Sequence, residues 1–360
     1  MRYGIIGTGM MGCEHIRNLA LVPGAEVVAI ADPVPASLVR AERALGSSNG
    51  VEGYEDFREL LAKAPVDAVV IATPNHLHRE VLEQVFRTNL HVLVEKPLCT
   101  TLEDCRWVVR AAEQHSGVVW VGMEYRYMRP VARLIEEVHR GAIGELRMLA
   151  IREHRFPFLP KVGDWNRFAR NTGGTLVEKC CHFFDLMTLI TRQRPVRVYA
   201  SGAQDVNHLE ERYGGERPDI LDNAFCVVDF DGGARGLLDL CMFAEHSRNE
   251  MEIAATGDVG KAEVGVPENR LLLTRRDRDE PTRIEFPVDR RAERAGAHHG
   301  STLVEHVRLL DAIRRRGPAE VTVQDGARAV FLGIAAERSV HERRPVELRE
   351  LDGARELGLA

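Results

Sequence analysis

The stretch "GIIGTGMMGCEH" (Gly4–His15) decides the fold of this chain. Gly7, Gly9 and Gly12 stand in GxGxxG spacing directly after a short apolar run. A helical pattern follows through "HIRNLALV". The first glycine permits a tight turn, the second lets backbone approach a pyrophosphate, and the third lets the helix pack close to the strand. The helix N-terminus then offers unsatisfied N–H groups and positive dipole to phosphate. An acidic residue, Asp32, closes the next apolar run, "EVVAIAD", twenty residues after Gly12. That spacing is the dinucleotide fingerprint in its required context of strand, turn and helix. Asp32 suits the adenosine ribose hydroxyls and repels an extra phosphate there. The next residues, "PVPAS", carry no arginine to receive one, so the expected cofactor is NAD. The turn and first helical residues, Gly7, Thr8, Gly9, Met10, Met11 and Gly12, form the expected cofactor-binding stretch together with Asp32.

Outward from this turn the first third alternates regularly. "VDAVVIATP", "HVLVEKP" and "VVWVGMEY" are further apolar runs, separated by the helical patterns "SLVRAERAL", "HREVLEQVFRTN" and "LEDCRWVVRAAEQHS". Continuous apolar strands alternating with amphipathic helices predict a parallel sheet covered on both faces, a doubly wound domain over residues 1–122. Strand C-termini in such sheets face the ligand crevice. Thr73, Pro74, Asn75 and His78 are therefore expected near the cofactor, with His76 and His78 read as capping or solvated groups. Glu95 and Lys96 end the fourth strand at the same crevice, before Pro97, whose peptide bond can be cis. A lysine beside a cationic nicotinamide has its proton affinity reduced, which suits proton transfer near neutrality.

After residue 122 the texture changes. "ELRMLAIREHRF", "VRVYASGAQ", "NAFCVVDFDGGARGLLDLCMFA", "NEMEIAATGDVGKAEVG" and "RLLLTRR" are alternating strands, with hairpin turns at "DGG" and "GDVG". Helices are expected over 129–144, 174–192, 301–316 and 325–341. This predicts a second α/β domain over 123–360, built on an open, mainly antiparallel sheet. The segment 280–300 is expected to be a mobile loop.

Composition narrows the function classes. The chain has 360 residues, 44% of them hydrophobic, and a net charge of −6 from 48 basic and 54 acidic side chains. Nucleic-acid binding wants a basic surplus, so none is expected. Seven cysteines without a CxxC pair fit neither a disulfide framework nor a zinc ribbon. The first residues already read as strand and turn, and no apolar run approaches a membrane span. A soluble cytoplasmic protein with no membrane partner and no metal is expected.

The second informative stretch is "GGTLVEKCCHFFDL" (173–186), where Glu178, His182 and Asp185 fall at i, i+4 and i+7 on one helix face. Three or four converging ligands would be needed for a metal, and no second cluster supplies them. His182 titrates near neutrality, with Asp185 or Glu178 available to hold its tautomer. From the residues alone, a satisfied core histidine flanked by Phe183 and Phe184 is the favoured reading.

In order, GxGxxG, "ATPNHLH", "EKP", "VGMEYRYMRP", a "GG" and "HFFD" resemble the Gfo/Idh/MocA family of oxidoreductases over nearly the whole chain. The resemblance implies a Rossmann domain followed by an open-faced α/β domain whose sheet pairs subunits into homodimers or homotetramers. It implies oxidoreduction of a sugar or cyclic polyol. Lys96 matches the family's catalytic lysine, His182 its catalytic histidine, and Arg126 an arginine found after the fifth strand, placed at the cofactor. The substrate would sit between Lys96 and His182. Where the family often has Asp four residues before the histidine, this chain has Glu178, followed by Lys179. With Arg152, Arg155, Lys161, Arg167 and Arg170 close before it, that lysine raises the possibility of an anionic sugar. Tyr125, Arg155, Trp165, Lys179 and His182 are the expected substrate-binding set, alongside Lys96. Trp165 would offer a flat face to a sugar ring. Two rivals stand beside the dehydrogenase: a glycosidase that recycles NAD through transient oxidation, using Glu178, Lys179 and Tyr125, and a non-enzymatic NAD sensor. His298 and His299 were further candidates to close over the site from the same or a neighbouring subunit.

Overall fold

A computed structural model of the chain describes residues 1–46, 50–296 and 298–359. The chain forms two compact units. The first comprises 1–124, 161–165 and 289–327; the second comprises 125–160, 166–288 and 328–360. The first crossing lies two residues beyond the expected boundary at 122, but the chain then returns twice. The boundary is therefore not a single cut in sequence.

The first unit holds six parallel strands: β1 (Arg2–Ile6), β2 (Glu26–Ala31), β3 (Glu52–Tyr54), β4 (Ala68–Ile71), β5 (His91–Glu95) and β6 (Val119–Gly122). Their order is β3-β2-β1-β4-β5-β6, the doubly wound dinucleotide-binding arrangement. The order reverses between β1 and β4, so the ends of these two strands flank the ligand crevice. Ile5, Ile6, Val69, Val70, Ile71, Val92, Leu93 and Val94 are buried, because helices cover both faces. Five of the six strands were legible as apolar runs. The edge strand β3 was not: it is three residues long and mostly exposed, so no periodicity marks it.

The second unit carries nine strands: β7 (Leu146–His154), β8 (Pro195–Ala203), β9 (Asn223–Phe230), β10 (Arg235–Cys241), β11 (Met251–Gly257), β12 (Gly260–Val266), β13 (Arg270–Arg275), β14 (Thr282–Glu285) and β15 (Val346–Glu347). Their order is β14-β13-β12-β11-β7-β10-β9-β8-β15. Every pairing is antiparallel except β7 with β10. One sheet face is packed. Val198, Cys226, Leu238 and Ile151 are buried on it, and Gly236 lies so close to Met187 of the helix Cys181–Thr191 that a Cβ would meet the sulfur at 2.8 Å. The other face stays open. Tyr199, Val227 and Leu237 are cross-strand neighbours on it, with Phe225 and Met148 nearby, and all five are exposed.

The expected helix over 174–192 is broken. One piece is Thr175–Glu178 and the next is Cys181–Thr191. At the junction the Cys180 N–H reaches back to the Thr175 carbonyl, one residue further than α-helical spacing. This shifts Glu178 and Lys179 in phase relative to His182, so the shared face read from the sequence does not persist across the junction. Glu337, partly buried on the helix Val323–Glu342, accepts the Leu176 N–H at 2.8 Å and anchors the first piece. The expected loop 280–300 contains β14 and a short helix, Arg290–Ala295; Ala297 within it lies outside the described residues. All seven cysteines are free thiols. Among the described residues no helix is long and apolar enough to cross a membrane.

Candidate active site

In the first unit the nucleotide turn is built by close approach. Gly7 ends β1 at φ +89°, and a Cβ there would lie 2.6 Å from backbone atoms of Ala72 and Thr73, so only glycine fits. A Cβ on Gly12 would sit on the Gly7 carbonyl oxygen, so the helix Met10–Leu19 is as near the strand as a hydrogen side chain allows. Gly9 caps that helix with no side-chain hydrogen bond, and a Cβ on it would meet no atom within 4 Å. The first-turn N–H groups thus open onto space shaped for a phosphate. Asp32, 8% exposed, is fixed to the turn: Oδ2 accepts from the Thr8 N–H at 2.8 Å and the Thr8 hydroxyl at 3.2 Å, and Oδ1 accepts from the Val34 N–H at 2.9 Å. A carboxylate has about four acceptor sites, so capacity remains for ribose hydroxyls. At the end of β4 the Thr73 hydroxyl oxygen and the Asn75 amide nitrogen are buried without a hydrogen-bond partner among the described residues. Open glycine backbone, uncapped helix and orphaned polar atoms at the switch point together fit a dinucleotide. Met10 is 47% exposed and Met11 is partly buried at the same helix start.

His78 is neither a cap nor a solvated group. It is fully buried, with Nδ1 2.9 Å from the Pro97 carbonyl and Nε2 3.2 Å from the Thr73 carbonyl. Burial lowers its pKa, and the ring lies between the ends of β4 and β5. Pro74 precedes this turn, and the Lys96–Pro97 bond is cis. Lys96, partly buried, follows Glu95 at the end of β5, and its N–H donates to Glu95 Oε2 at 3.2 Å. Trp165 belongs to this first unit, edge-on to His76 at 6.2 Å, with the Lys161 ammonium 4.8 Å from its ring centre.

In the second unit the polar side chains converge on Tyr125, which follows β6 in the turn Glu124–Tyr127. The His182 ring stacks on the Tyr125 ring, with centroids 4.0 Å apart and planes 5° off parallel. Lys179 Nζ donates to Tyr125 Oη at 2.7 Å and lies 2.7 Å from Glu153 Oε1. Arg155 approaches the same Glu153 oxygen at 3.3 Å. Burial lowers the Lys179 pKa, and Arg155 adds to this against the pull of Glu153. Glu178 is buried beside this cluster in sequence, at the end of its own short helix.

Two of the expected residues meet here. Arg126 donates to Asp185 through Nε and Nη2, with Nε–Oδ2 at 2.6 Å, so these two residues form a buried ion pair. The pair lies within the second unit. The basic run is also compensated: Arg152 pairs with Glu252, Arg155 with Glu153, Arg167 with Glu211 and Arg170 with Glu216. Sequence reading missed Glu153, whose alternating strand position carries no signal. It also missed His15 and Glu124, whose partners are distant in the chain. His298 lies in the first unit, its Nδ1 2.6 Å from Glu14 on the helix Met10–Leu19.

A dinucleotide turn at the switch point of a 3-2-1-4-5-6 sheet, with a lysine directly after β5, defines an NAD-binding oxidoreductase. The chain belongs to the Gfo/Idh/MocA oxidoreductase family. Residues 1–123 match its NAD-binding Rossmann fold, and 135–348 match its C-terminal alpha/beta domain. Its sequence is 28% identical to the myo-inositol 2-dehydrogenase of Thermotoga maritima over 98% of this chain and 100% of that protein. It is 25% identical to an inositol 2-dehydrogenase of Rhizobium meliloti over 97% and 99%. Among solved structures, a probable dehydrogenase from Thermotoga maritima superposes with a TM-score of 0.78 at 27% identity, covering 97% of this chain and 99% of that one. A levoglucosan dehydrogenase solved with NADH and levoglucosan shares the fold at a TM-score of 0.84 and 20% identity, with the same coverage.

The cradle makes a separable prediction. Gly9→Ala places a methyl in open space, so the melting temperature should hold while NAD affinity falls at least about tenfold. Gly12→Ala drives a methyl into the Gly7 carbonyl, so it should lower the melting temperature as well. Titration of NAD by fluorescence beside thermal unfolding checks both; wild-type NAD affinity in Gly9→Ala would remove the pyrophosphate from this turn.

Proposed function

We propose that this protein is an NAD-dependent dehydrogenase that oxidises a ring hydroxyl of an uncharged cyclic polyol or sugar, with inositols as the first substrate class. The observation that carries this reading is the similarity to inositol 2-dehydrogenases along the full length of both chains. The compensated charges of the second unit support an uncharged substrate over an anionic one, because each arginine in the run has a carboxylate partner. The Tyr125 cluster suits hydroxyl recognition: Tyr125 Oη accepts from Lys179, which directs the phenol proton elsewhere, and the stacked His182 ring is held in a fixed plane.

The glycine turn and Asp32 would hold NAD, which would supply the hydride acceptor for the carbon that carries the reacting hydroxyl. Lys96, as the neutral amine, takes the hydroxyl proton, and the His182 imidazole donates a hydrogen bond to the oxygen as it becomes a carbonyl. Lys179 shapes the pocket rather than exchanges protons, since it is already engaged by Tyr125 and Glu153. That engagement also weighs against the NAD-recycling glycosidase, which needs Lys179 and Tyr125 as an extra base and acid. Positioned acid–base help of this kind is worth about 10²–10⁴ in rate.

We also infer that the open sheet face pairs subunits, because Tyr199, Val227, Leu237, Phe225 and Met148 form an exposed apolar row across four strands. Light scattering should give a dimer or tetramer mass, and Phe225→Asp should lower it; a monomeric wild-type chain would contradict this pairing. For the chemistry, Lys96→Met should bind NAD normally and lose turnover by at least about 10²-fold. Turnover near the wild-type rate would take the proton-transfer role away from Lys96.

A further inference from the structure

Beneath the nucleotide turn the first unit buries a chain of titratable side chains that neither cofactor binding nor substrate recognition explains. His15 is fully buried on the helix Met10–Leu19. Its Nε2 lies 2.8 Å from Glu95 Oε1, and its Nδ1 lies 2.9 Å from Nε2 of His306 on the helix Ser301–Arg315. The two imidazoles meet edge to face, centroids 5.0 Å apart. Glu95 is the last residue of β5, 5% exposed, and its second oxygen accepts the Lys96 N–H. One carboxylate thus joins the helix that receives the dinucleotide to the strand end that carries the lysine.

We propose that His15 is a positioning residue of the reaction, acting on Lys96 through Glu95: it holds that carboxylate ionised and oriented, so that a fixed negative charge accompanies the lysine. This rests on the proton-transfer role given to Lys96 above. The surrounding groups agree. Burial alone would raise Glu95, but the hydrogen bond and charge of His15, then Lys96 and His298, outweigh it and hold Glu95 below its usual range. His306 is driven well below its usual value by burial and by His15, so it is a neutral partner. Glu124, buried just after β6, is pushed up to about 7 by burial and by the charge of Glu95, against the pull of His298 and Lys96. His298 stays above its usual value because Glu14, Glu124 and Glu95 overcome its burial. Within this set, Glu95 alone is pinned on one oxygen by an imidazole and on the other by the lysine's own peptide N–H.

The sign of the effect follows. Without the His15 donor, burial dominates at Glu95, which takes up a proton. The Lys96 ammonium then loses an anionic neighbour and gives up its proton at lower pH. The loss of one adjacent charge corresponds to a shift of about one pH unit.

The test reads Lys96 directly and needs no turnover. The full chain is pulsed with acetic anhydride across a pH series, and Lys96 acetylation is quantified by mass spectrometry against the exposed Lys63. Glu95→Gln should move the Lys96 midpoint down by about one unit. His15→Asn, too short to reach Glu95, should do the same, and the double variant should shift no further. His15→Gln, which restores an N–H near the Nε2 position, should return the midpoint toward wild type. Wild-type midpoints in Glu95→Gln and His15→Asn overturn the proposal. So does a shift in Glu95→Gln that His15→Asn fails to reproduce. Should His15→Asn not fold, His15→Gln measured against Glu95→Gln decides: equal shifts in both overturn the rescue and the proposal with it. Turnover on inositols is measured separately on the wild type. Shifted midpoints in a protein that oxidises no polyol would refute the dehydrogenase reading and leave the coupling standing.

Discussion

The close approach of one helix to one strand end governs the first unit. Gly12 packs on the Gly7 carbonyl, and no residue with a Cβ can stand there. That contact sets the depth of the helix Met10–Leu19. It brings the uncapped N-terminus to the crevice and places His15, one turn further on, against the end of β5. Asp32 is locked to the same turn through Thr8, so the ribose-binding carboxylate and the phosphate-binding backbone move as one piece. His78 does the equivalent job between β4 and β5. The crevice is preorganised by buried hydrogen bonds, which are costly to leave unmade and therefore specify one arrangement.

The second unit solves a different problem with the same means. Its mixed sheet packs one face and leaves the other open, so its helices must carry the polar chemistry. The break at Lys179–Cys180 turns two neighbouring side chains toward one tyrosine: Lys179 by hydrogen bond and His182 by stacking. Glu337 anchors the first helical piece from below. Arg126 and Asp185 neutralise each other within the same layer, and neither charge is left bare in a buried setting.

Much of this was legible in the sequence, for physical reasons. A parallel strand buried on both faces reads as a continuous apolar run, so five of the six strands in the first sheet were visible, as were the glycines and Asp32. Lys96 stood out because a charge at the end of such a run has no place in a core. The family followed from motif order, and the NAD cofactor from Asp32 with no arginine after it. What stayed hidden depends on partners far apart in the chain. His15 meets Glu95 eighty residues away, and Glu14 meets His298 across 284 positions. The pairing of Arg126 with Asp185, 59 positions apart, is hidden for the same reason. Trp165 sits in a five-residue return to the first unit that no composition shift announces. The run of arginines can be counted from sequence, whereas the pairing of Arg152, Arg155, Arg167 and Arg170 with Glu252, Glu153, Glu211 and Glu216 cannot.

The central claim is net hydride transfer from a polyol hydroxyl to NAD. The most direct measurement is absorbance at the NADH band, with purified protein, NAD and a panel of inositols, aldoses, acidic sugars and aryl glycosides, recording aglycone release in the same samples. The account predicts that NADH accumulates with an inositol or another uncharged cyclic polyol, and that no aglycone appears. Aglycone release that requires NAD and leaves no NADH would contradict it, and would identify a glycosidase that returns its hydride in every cycle.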